Sequence, residues 1–454
     1  MLNKFQTLLE SSEVQHYTER QRKKIGVVIS DEYFSQIIIP AVQMGAAAHI
    51  NNRVNAVKKK FGLLQKSKAL MTVGALFDRH FRKQTRLGPT KTEVMEKVLR
   101  SLALQEPINL VGLMFTRKNI CSLKRGDGDE SESDFAETLS LMQLNSFASL
   151  IHAFHPYGAT FTILSEGKRF VKAFDLCEPA VFSYQEKLHK TITRLNLQHL
   201  KLIDYEDFLN TKYTKTQQLR RRQKHEQSRK EYMSTIAPLL NLSDMSTTLE
   251  RTIAADPIKD LRNPRNSFVP LWDSIKNSLP YPELVRLSAK KNIELDQMYR
   301  IVFKNLLKVN SDLEIEKVRQ SIIVKSWLAA IEHSAQIVGD AKAGVNVAAL
   351  ISSHAFRTTI NPKQGEFLGI LTARETTNRV QPWHGMAFVE MDRQKRLVGT
   401  ILTKLEIESK GGLPVYLDTK DARPIFYAAS DVITEFQAKK TITFNMSTRD
   451  IKKF

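Results

Sequence analysis

Cysteine is almost missing: the chain of 454 residues holds two, Cys121 and Cys177. They can form one disulfide at most, which excludes a disulfide-stapled secreted scaffold and fits a reducing compartment. Long apolar runs are missing as well. The first fifteen residues, MLNKFQTLLESSEVQ, hold no apolar h-region, because Glu10 and Glu13 interrupt it, so no secretory leader is expected. The longest uncharged early stretch, 33–52, contains Ser35, Gln36, Pro40, Gln43, His49, Asn51 and Asn52 and is too polar for a membrane span. A cytoplasmic protein without a membrane span is the expectation. Acidic residues are in deficit, 48 Asp and Glu against 68 Lys and Arg, a net charge of +20. That favours polyanionic or phosphorylated partners and says nothing about fold.

The common catalytic and cofactor signatures are lacking too. There is no Walker A loop, no G-x-G-x-x-G, no H-E-x-x-H and no C-x-x-C. His152 and His155 stand three apart, but no further ligand set accompanies them, so neither a metal nor another cofactor is expected. The carboxylate-rich tract from Asp127 to Asp134 lacks the sixth-position glycine and closing glutamate of a calcium loop and reads as a solvated loop. No internal repeat or low-complexity segment is present.

What is there is a core. Hydrophobic residues make up 42% of the chain, enough for a large folded unit. Residues 1–90 read as a basic helical extension with fifteen Lys/Arg against six Asp/Glu; the one strand-like run in it is Ile25 to Ile29. Its apolar positions, such as Val54, Val57, Phe61 and Leu64, recur at helical spacing, which places it outside the pocket. Thr90 can cap a helix running to about Leu104. Over 91–210 the texture is α/β. Ile108–Phe115 (INLVGLMF) is an apolar run of strand length, as for a strand covered on both faces. An amphipathic helix is expected from Phe135 to Phe154, with further strands at 159–165 and 200–205. Residues 211–345 read as a basic, helical insertion whose first twenty residues carry eight Lys/Arg and one acid, Glu226, on a solvated face. Strand texture returns in 346–454, at 367–372, 386–391, 397–403, 414–417 and 441–445. The fold class is therefore α/β: a mixed, largely parallel central sheet flanked by helices, with 105–210 and 350–450 sharing one sheet.

Three constellations can carry chemistry. Strand 108–115 leads into Thr116-Arg117-Lys118-Asn119, and ligands of open α/β sheets gather at the carboxyl ends of strands. Lys118 is placed there for a phosphate or a carbonyl, or it is a solvated loop lysine. Asp134 and Glu137 open the amphipathic helix, either as a capping box or as carboxylates that receive an ammonium group. Phe356-Arg357-Thr358 and Gln381-Pro382-Trp383-His384-Gly385 flank the strand at 367–372; a Trp-His pair there supplies an apolar wall and a group titrating near neutrality, or only a satisfied polar residue.

These pieces occur in a recognisable order. INLVGLMFTRKN, SDFAETLSLMQL and HPYGATFTILSEGKRF, followed by AFRTTINPKQGEFLGI and VQPWHGMAFVE, resemble the isocyanide (isonitrile) synthase family, also called the pyoverdine/dityrosine biosynthesis family. The T-P-W-H-like motif is the most specific of these, and Asp175 and Tyr184 also fall where the family tends to place such residues. The resemblance covers about 105–190 and 350–430. The family's Pro-Phe is Thr116-Arg117 here, its S-D-G aspartate is Glu166, and its S-I-H-P histidine is Asn361.

The resemblance implies an enzyme that turns the amine of an amino acid, usually tyrosine or tryptophan, into an isonitrile, with ribulose 5-phosphate as carbon donor. Some members give an N-formyl amino acid instead. It implies no metal and no nicotinamide, and an iron/2-oxoglutarate oxygenase as a downstream partner. Such chemistry needs a cationic cradle for a phosphate dianion, proton transfers at nitrogen and oxygen, and charged groups that fix a zwitterion. Lys118 and Arg357 are the candidates for the phosphate or the substrate carboxylate, with Lys168 as a third. Asp134, Glu137 and Glu166 are candidates to bind the ammonium or act as bases, Trp383 to contact substrate and His384 to shuttle protons. Two rivals stand beside this reading: a homologue that has lost catalysis, and a basic nucleic-acid-binding protein that uses the +20 charge and the 211–230 run.

Overall fold

The computed structural model describes residues 27–62, 67–83, 88–116, 134–174, 176–237, 281–293, 295–304, 306–360, 367–373, 385–418, 424–438 and 443–444, with 268, 271–272, 275–276, 279 and 382 as separate positions. Its centre is a parallel sheet. β2 (Ile108–Leu113) is the middle strand, and Leu110 and Val111 are fully buried on its opposite faces. β3 (Ala159–Ser165) and β4 (Leu200–Asp204) lie on one side of it, β5 (Phe356–Thr359) and β6 (Leu368–Gly369) on the other, in the order β4-β3-β2-β5-β6. Every neighbour pair is parallel, so all five carboxyl ends share one edge. Residues 108–204 and 356–369 thus share a sheet, as the sequence predicts.

The strands after 385 do not join it. β7 (Met386–Met391), β8 (Leu397–Leu402), β9 (Leu413–Leu417), β10 (Pro424–Ala428) and β11 (Thr443–Phe444) build a second, mixed sheet with β1 (Val27–Ile29), in the order β11-β1-β9-β10-β7-β8. β1 pairs parallel to β9, within the run 25–29. The expectation of one sheet for all strands is corrected to two.

The reason lies in one helix. α4 (Phe135–His152) packs against β2, β3 and β4 of the first sheet and β7, β8 and β10 of the second. Fourteen of its 18 residues are buried, so it is not the one-sided amphipathic helix expected. A helix covered on nearly all sides needs apolar or small residues all round, and Ala136, Ser140, Ser146 and Ala148 fill the positions that a one-sided reading leaves to solvent.

Among the described residues three helices of nine or more residues precede β2. α1 (Ile39–Gly62) contacts α4 and β8 and contributes Ile39, Val42 and Val57 to the main core. α2 (Lys68–Leu76) and α3 (Lys91–Ala103) pack on each other, α3 being fixed by a capping box in which Thr90 and Glu93 serve each other's backbone N–H. Between the strands of the first sheet come α5 (Gly167–Phe170) and α6 (Glu178–Arg194), followed after β4 by α7 (Tyr205–Lys212). A second core is formed by the helices α8 (Lys215–Thr235), α9 (Pro282–Lys291), α10 (Leu295–Lys304) and α11 (Leu313–Lys342) together with Phe170, Phe174 and Val181, around Trp272, Trp327 and Tyr281. α12 (Val347–Ile351) returns the chain to β5 and, with α7, covers the second face of the parallel sheet. Among the described residues no helix is long and apolar enough to cross a membrane.

Candidate functional site

Side chains alternate across a strand, so the carboxyl edge of the parallel sheet presents a polar cluster on each face. Between them, two residues past β2, stands a strained residue: Phe115 is fully buried with φ +57°. A bulky side chain in the left-handed region costs on the order of 1–3 kcal/mol, and such strain concentrates at functional sites. The Phe115 carbonyl accepts from Ser165 Oγ at 2.8 Å, which ties the end of β2 to the end of β3.

On the α4 face, Gln185 Nε2 donates to Ser165 Oγ at 2.9 Å and to Asp204 Oδ2 at 2.8 Å. Burial raises the Asp204 pKa, against the pull of Gln185 and the nearby backbone N–H groups. Asp134 and Glu137 form the capping box that opens α4, Glu137 N to Asp134 Oδ1 at 3.2 Å and Asp134 N to Glu137 Oε2 at 2.9 Å. Glu137 is fully buried and also accepts from the fully buried Tyr184 hydroxyl at 2.7 Å. Burial, and then the Glu137 charge, push the Tyr184 pKa well up, so the phenol stays a proton donor. Lys168 points elsewhere: its Nζ pairs with Asp207 at 2.6 Å and lies 4.9 Å from the centre of the Phe182 ring.

On the α7 face, Arg357 stands level with Val111 in the β5–β2 register. Its guanidinium rests on Phe367, 4.6 Å from the ring centre, and makes no hydrogen bond or ion pair among the described residues. Burial lowers its pKa, while Tyr205 and Glu166 pull the other way, and a guanidinium remains charged throughout. Glu166, just beyond β3, pairs with Arg169 at 2.5 Å. Burial raises the Glu166 pKa even though Arg169 and Arg357 oppose it. A carboxyl that holds its proton more tightly beside a charged guanidinium is suited to proton transfer.

Behind these two lies a network that sequence reasoning missed. Asp340 on α11 accepts from Arg169 Nη2 at 2.5 Å, Tyr205 Oη at 2.6 Å and Arg221 Nε at 2.5 Å, and meets His225 Nε2 at 2.6 Å. Arg221 also grips Glu206 with both terminal nitrogens at 2.6 Å. Burial alone would raise the Asp340 pKa, but the His225 hydrogen bond and the Arg169 and Arg221 charges outweigh it and hold the carboxylate below its ordinary range. The basic run 211–230 is thus not wholly a solvated face, because Arg221 turns inward to neutralise a buried acid. Nothing local marks Arg221 and His225, since α8 is polar along nearly its whole length, and separations of 115–171 residues hide their shared partner.

Of the residues singled out by sequence, Glu166 and Arg357 come together on one face, Asp134 and Glu137 on the other, and Lys168 is engaged by Asp207. Lys118, Trp383 and His384 lie outside the described residues, as do Arg117, Asp175 and Asn361. Among the described residues no group of three or more His, Cys, Asp or Glu could hold a metal ion.

No curated protein matches the sequence. Among solved structures the chain is similar to the PvcA protein from Pseudomonas aeruginosa, at 20% identity over 80% of this chain and all of that one, with a TM-score of 0.44. The family model described as pyoverdine/dityrosine biosynthesis protein matches residues 106–404, which takes in the parallel sheet, both polar clusters and the helical core between them. With well over half of its length inside that match, the chain belongs to the pyoverdine/dityrosine biosynthesis family.

Proposed function

We propose that the protein is a biosynthetic enzyme of the isonitrile-synthase type, which joins the amine of a tyrosine- or tryptophan-like amino acid to a carbon of ribulose 5-phosphate and releases an isonitrile or an N-formyl amino acid. The observation that carries the reading is Arg357: a guanidinium stacked on Phe367, without a hydrogen bond or ion pair among the described residues, on the same face as a half-buried Glu166 whose pKa is raised. In the first step the free amine attacks the C2 carbonyl of the sugar phosphate. A C–N bond forms, and the carbonyl oxygen leaves as water after taking up two protons. Arg357 and Lys118 hold the phosphate or the amino-acid carboxylate as a fork and as a point charge. Glu166 and His384 take the amine proton and return protons to oxygen. Glu137 and Asp134 attract the ammonium before it is deprotonated, and Trp383 walls the aromatic side chain; Lys168, paired with Asp207, has no part in this step. The reading invokes no cofactor. An isonitrile product would suit an iron/2-oxoglutarate oxygenase acting next.

Thermal-shift titration tests this. Ribulose 5-phosphate should raise the melting temperature, and tyrosine or tryptophan should raise it further, whereas a short DNA duplex at physiological salt should not. A shift with the duplex alone would overturn the proposal and favour the basic nucleic-acid-binding reading.

A further inference from the structure

The helical core reaches the candidate site through one guanidinium. Arg169 donates from Nη1 to Glu166 Oε1 at 2.5 Å and from Nη2 to Asp340 Oδ2 at 2.5 Å. A single side chain thus bridges the carboxyl just beyond β3 and a carboxylate on α11. Nη2 also reaches the Gln336 carbonyl at 3.4 Å. The guanidinium lies 4.5 Å from the centre of the Tyr205 ring and 4.9 Å from that of Phe170, which confine it from the sides. Arg169 and Asp340 are both buried, so water and salt screen this bridge little.

The two carboxyls do not share Arg169 on equal terms. Asp340 also receives Arg221 Nε, the Tyr205 hydroxyl and His225 Nε2, and it stays ionised near neutrality. Glu166 has Arg169 as its one ion-pair partner among the described residues. A fixed anion on the far side of a guanidinium draws off part of its field and also repels the charge on Glu166 directly. Both effects oppose ionisation of Glu166.

The charged groups that face Glu166 are Arg169 beside it, Arg357 on β5 and Asp340 on α11. Those that face Asp340 from α7 and α8 are Tyr205, Arg221 and His225. Two cations against one anion would by themselves pull the proton off Glu166, yet burial leaves the carboxyl holding it more tightly than usual. Without Asp340 that balance tips toward the cations.

We propose that Asp340, acting through Arg169, is a positioning residue of the candidate site: the helical core holds the Glu166 carboxyl in place and limits the share of the guanidinium that reaches it. The proposal rests on the reading above, in which Glu166 moves protons for the reaction. It gives α8 and α11 a part in that reaction although they lie outside the parallel sheet.

Glu166 can be titrated directly, by carbon-13 NMR of the full chain labelled at the glutamate side-chain carboxyls; its signal is the one missing from Glu166→Gln. Asp340→Asn should move the midpoint to lower pH, because Arg169 then serves Glu166 alone. Arg169→Met should move it to higher pH, by about one unit or more, as for an opposite charge lost from within 4–6 Å. In the double variant the Asp340→Asn shift should shrink, since the residue it acts through is gone. A fold that is merely loosened hydrates Glu166 and lowers the midpoint in every variant. If Asp340→Asn does not fold, Arg221→Met decides: Asp340, with one cation fewer, holds Arg169 more firmly, and the Glu166 midpoint should rise.

The limb of kcat/KM that reports Glu166 in the free enzyme should follow each midpoint. Midpoints that move as expected in a protein that makes no product would keep the link from Asp340 to Glu166 and sink the reaction on which its role rests. Midpoints equal to wild type, or lowered in Asp340→Asn and Arg169→Met alike, would overturn the proposal and leave Asp340 a stabilising residue only.

Discussion

The Arg169 guanidinium meets the Asp340 carboxylate at 2.5 Å across 171 residues, and this contact joins the turn after β3 to the last helix of the helical core. Arg221, Tyr205 and His225 converge on the same carboxylate. The position of Arg169, and through it of Glu166, therefore depends on a residue far outside the α/β sequence motifs.

Asp340→Asn should be costly. It leaves Arg169 and Arg221 buried without that charge, and breaking a buried pair from one side costs about 3–5 kcal/mol. Urea unfolding at pH 7 measures the loss. The acid limb gives an independent check. The folded pKa of Asp340 lies below the unfolded value of about 3.9, so its stabilisation is complete above that value and disappears as pH falls through the folded one. The wild type should lose this increment on acidification, and Asp340→Asn should have none to lose.

His333 should make stability pH-dependent at higher pH. It stacks on Phe170 with ring centroids 4.2 Å apart, and burial, then the Arg169 charge, lowers its pKa to about 3. The unfolded side chain titrates near 6.5. Its contribution is full above pH 6.5 and shrinks as pH falls toward 3, because the unfolded chain takes up a proton that the folded one refuses. His333→Leu should flatten the stability profile between pH 6.5 and 4 relative to wild type. Equal slopes in both proteins would show that His333 is not the source.

Gly339→Ala should push two helices apart. A Cβ at 339 would lie 2.7 Å from His225 Cα and 2.8 Å from His225 N, and this backbone cannot yield without moving α8. Overpacking of this kind costs about 1–3 kcal/mol. The melting temperature should fall, and because His225 and Arg221 leave Asp340 together, turnover should fall with it.

How legible all this is in sequence differs by element. β2, β3 and β7 stand out as apolar runs with clear ends, and Thr90 and Asp134 announce their helices by capping chemistry. β5 does not: Phe356-Arg357-Thr358-Thr359 is four residues with one large apolar side chain, and only pairing with β2 makes it a strand. β10, Pro424–Ala428, starts on a proline and is likewise defined by its neighbours. Glu166 and Arg357 were readable because a family pattern marks them. Asp340 and Arg221 were not, since a buried charge looks like any surface charge until its partners are known in space.

Lys118 and His384 should separate binding from chemistry. Lys118→Ala should abolish ribulose 5-phosphate binding in calorimetry. His384→Ala should leave affinity nearly intact and lower turnover by about 10² to 10⁴, the range of a general acid–base group. Wild-type affinity in Lys118→Ala would take that lysine out of the site, and a His384→Ala variant that only melts lower would make the histidine structural.

The most direct test follows one carbon. Purified protein incubated with uniformly carbon-13-labelled ribulose 5-phosphate and unlabelled tyrosine or tryptophan should yield an isonitrile or N-formyl amino acid, seen by mass spectrometry, with a single carbon-13 on nitrogen. Arg357→Ala should abolish that product while the protein remains folded. An unlabelled product, or none at all from a folded protein saturated with both substrates, would contradict the assignment of sugar-phosphate carbon transfer to this edge of the sheet.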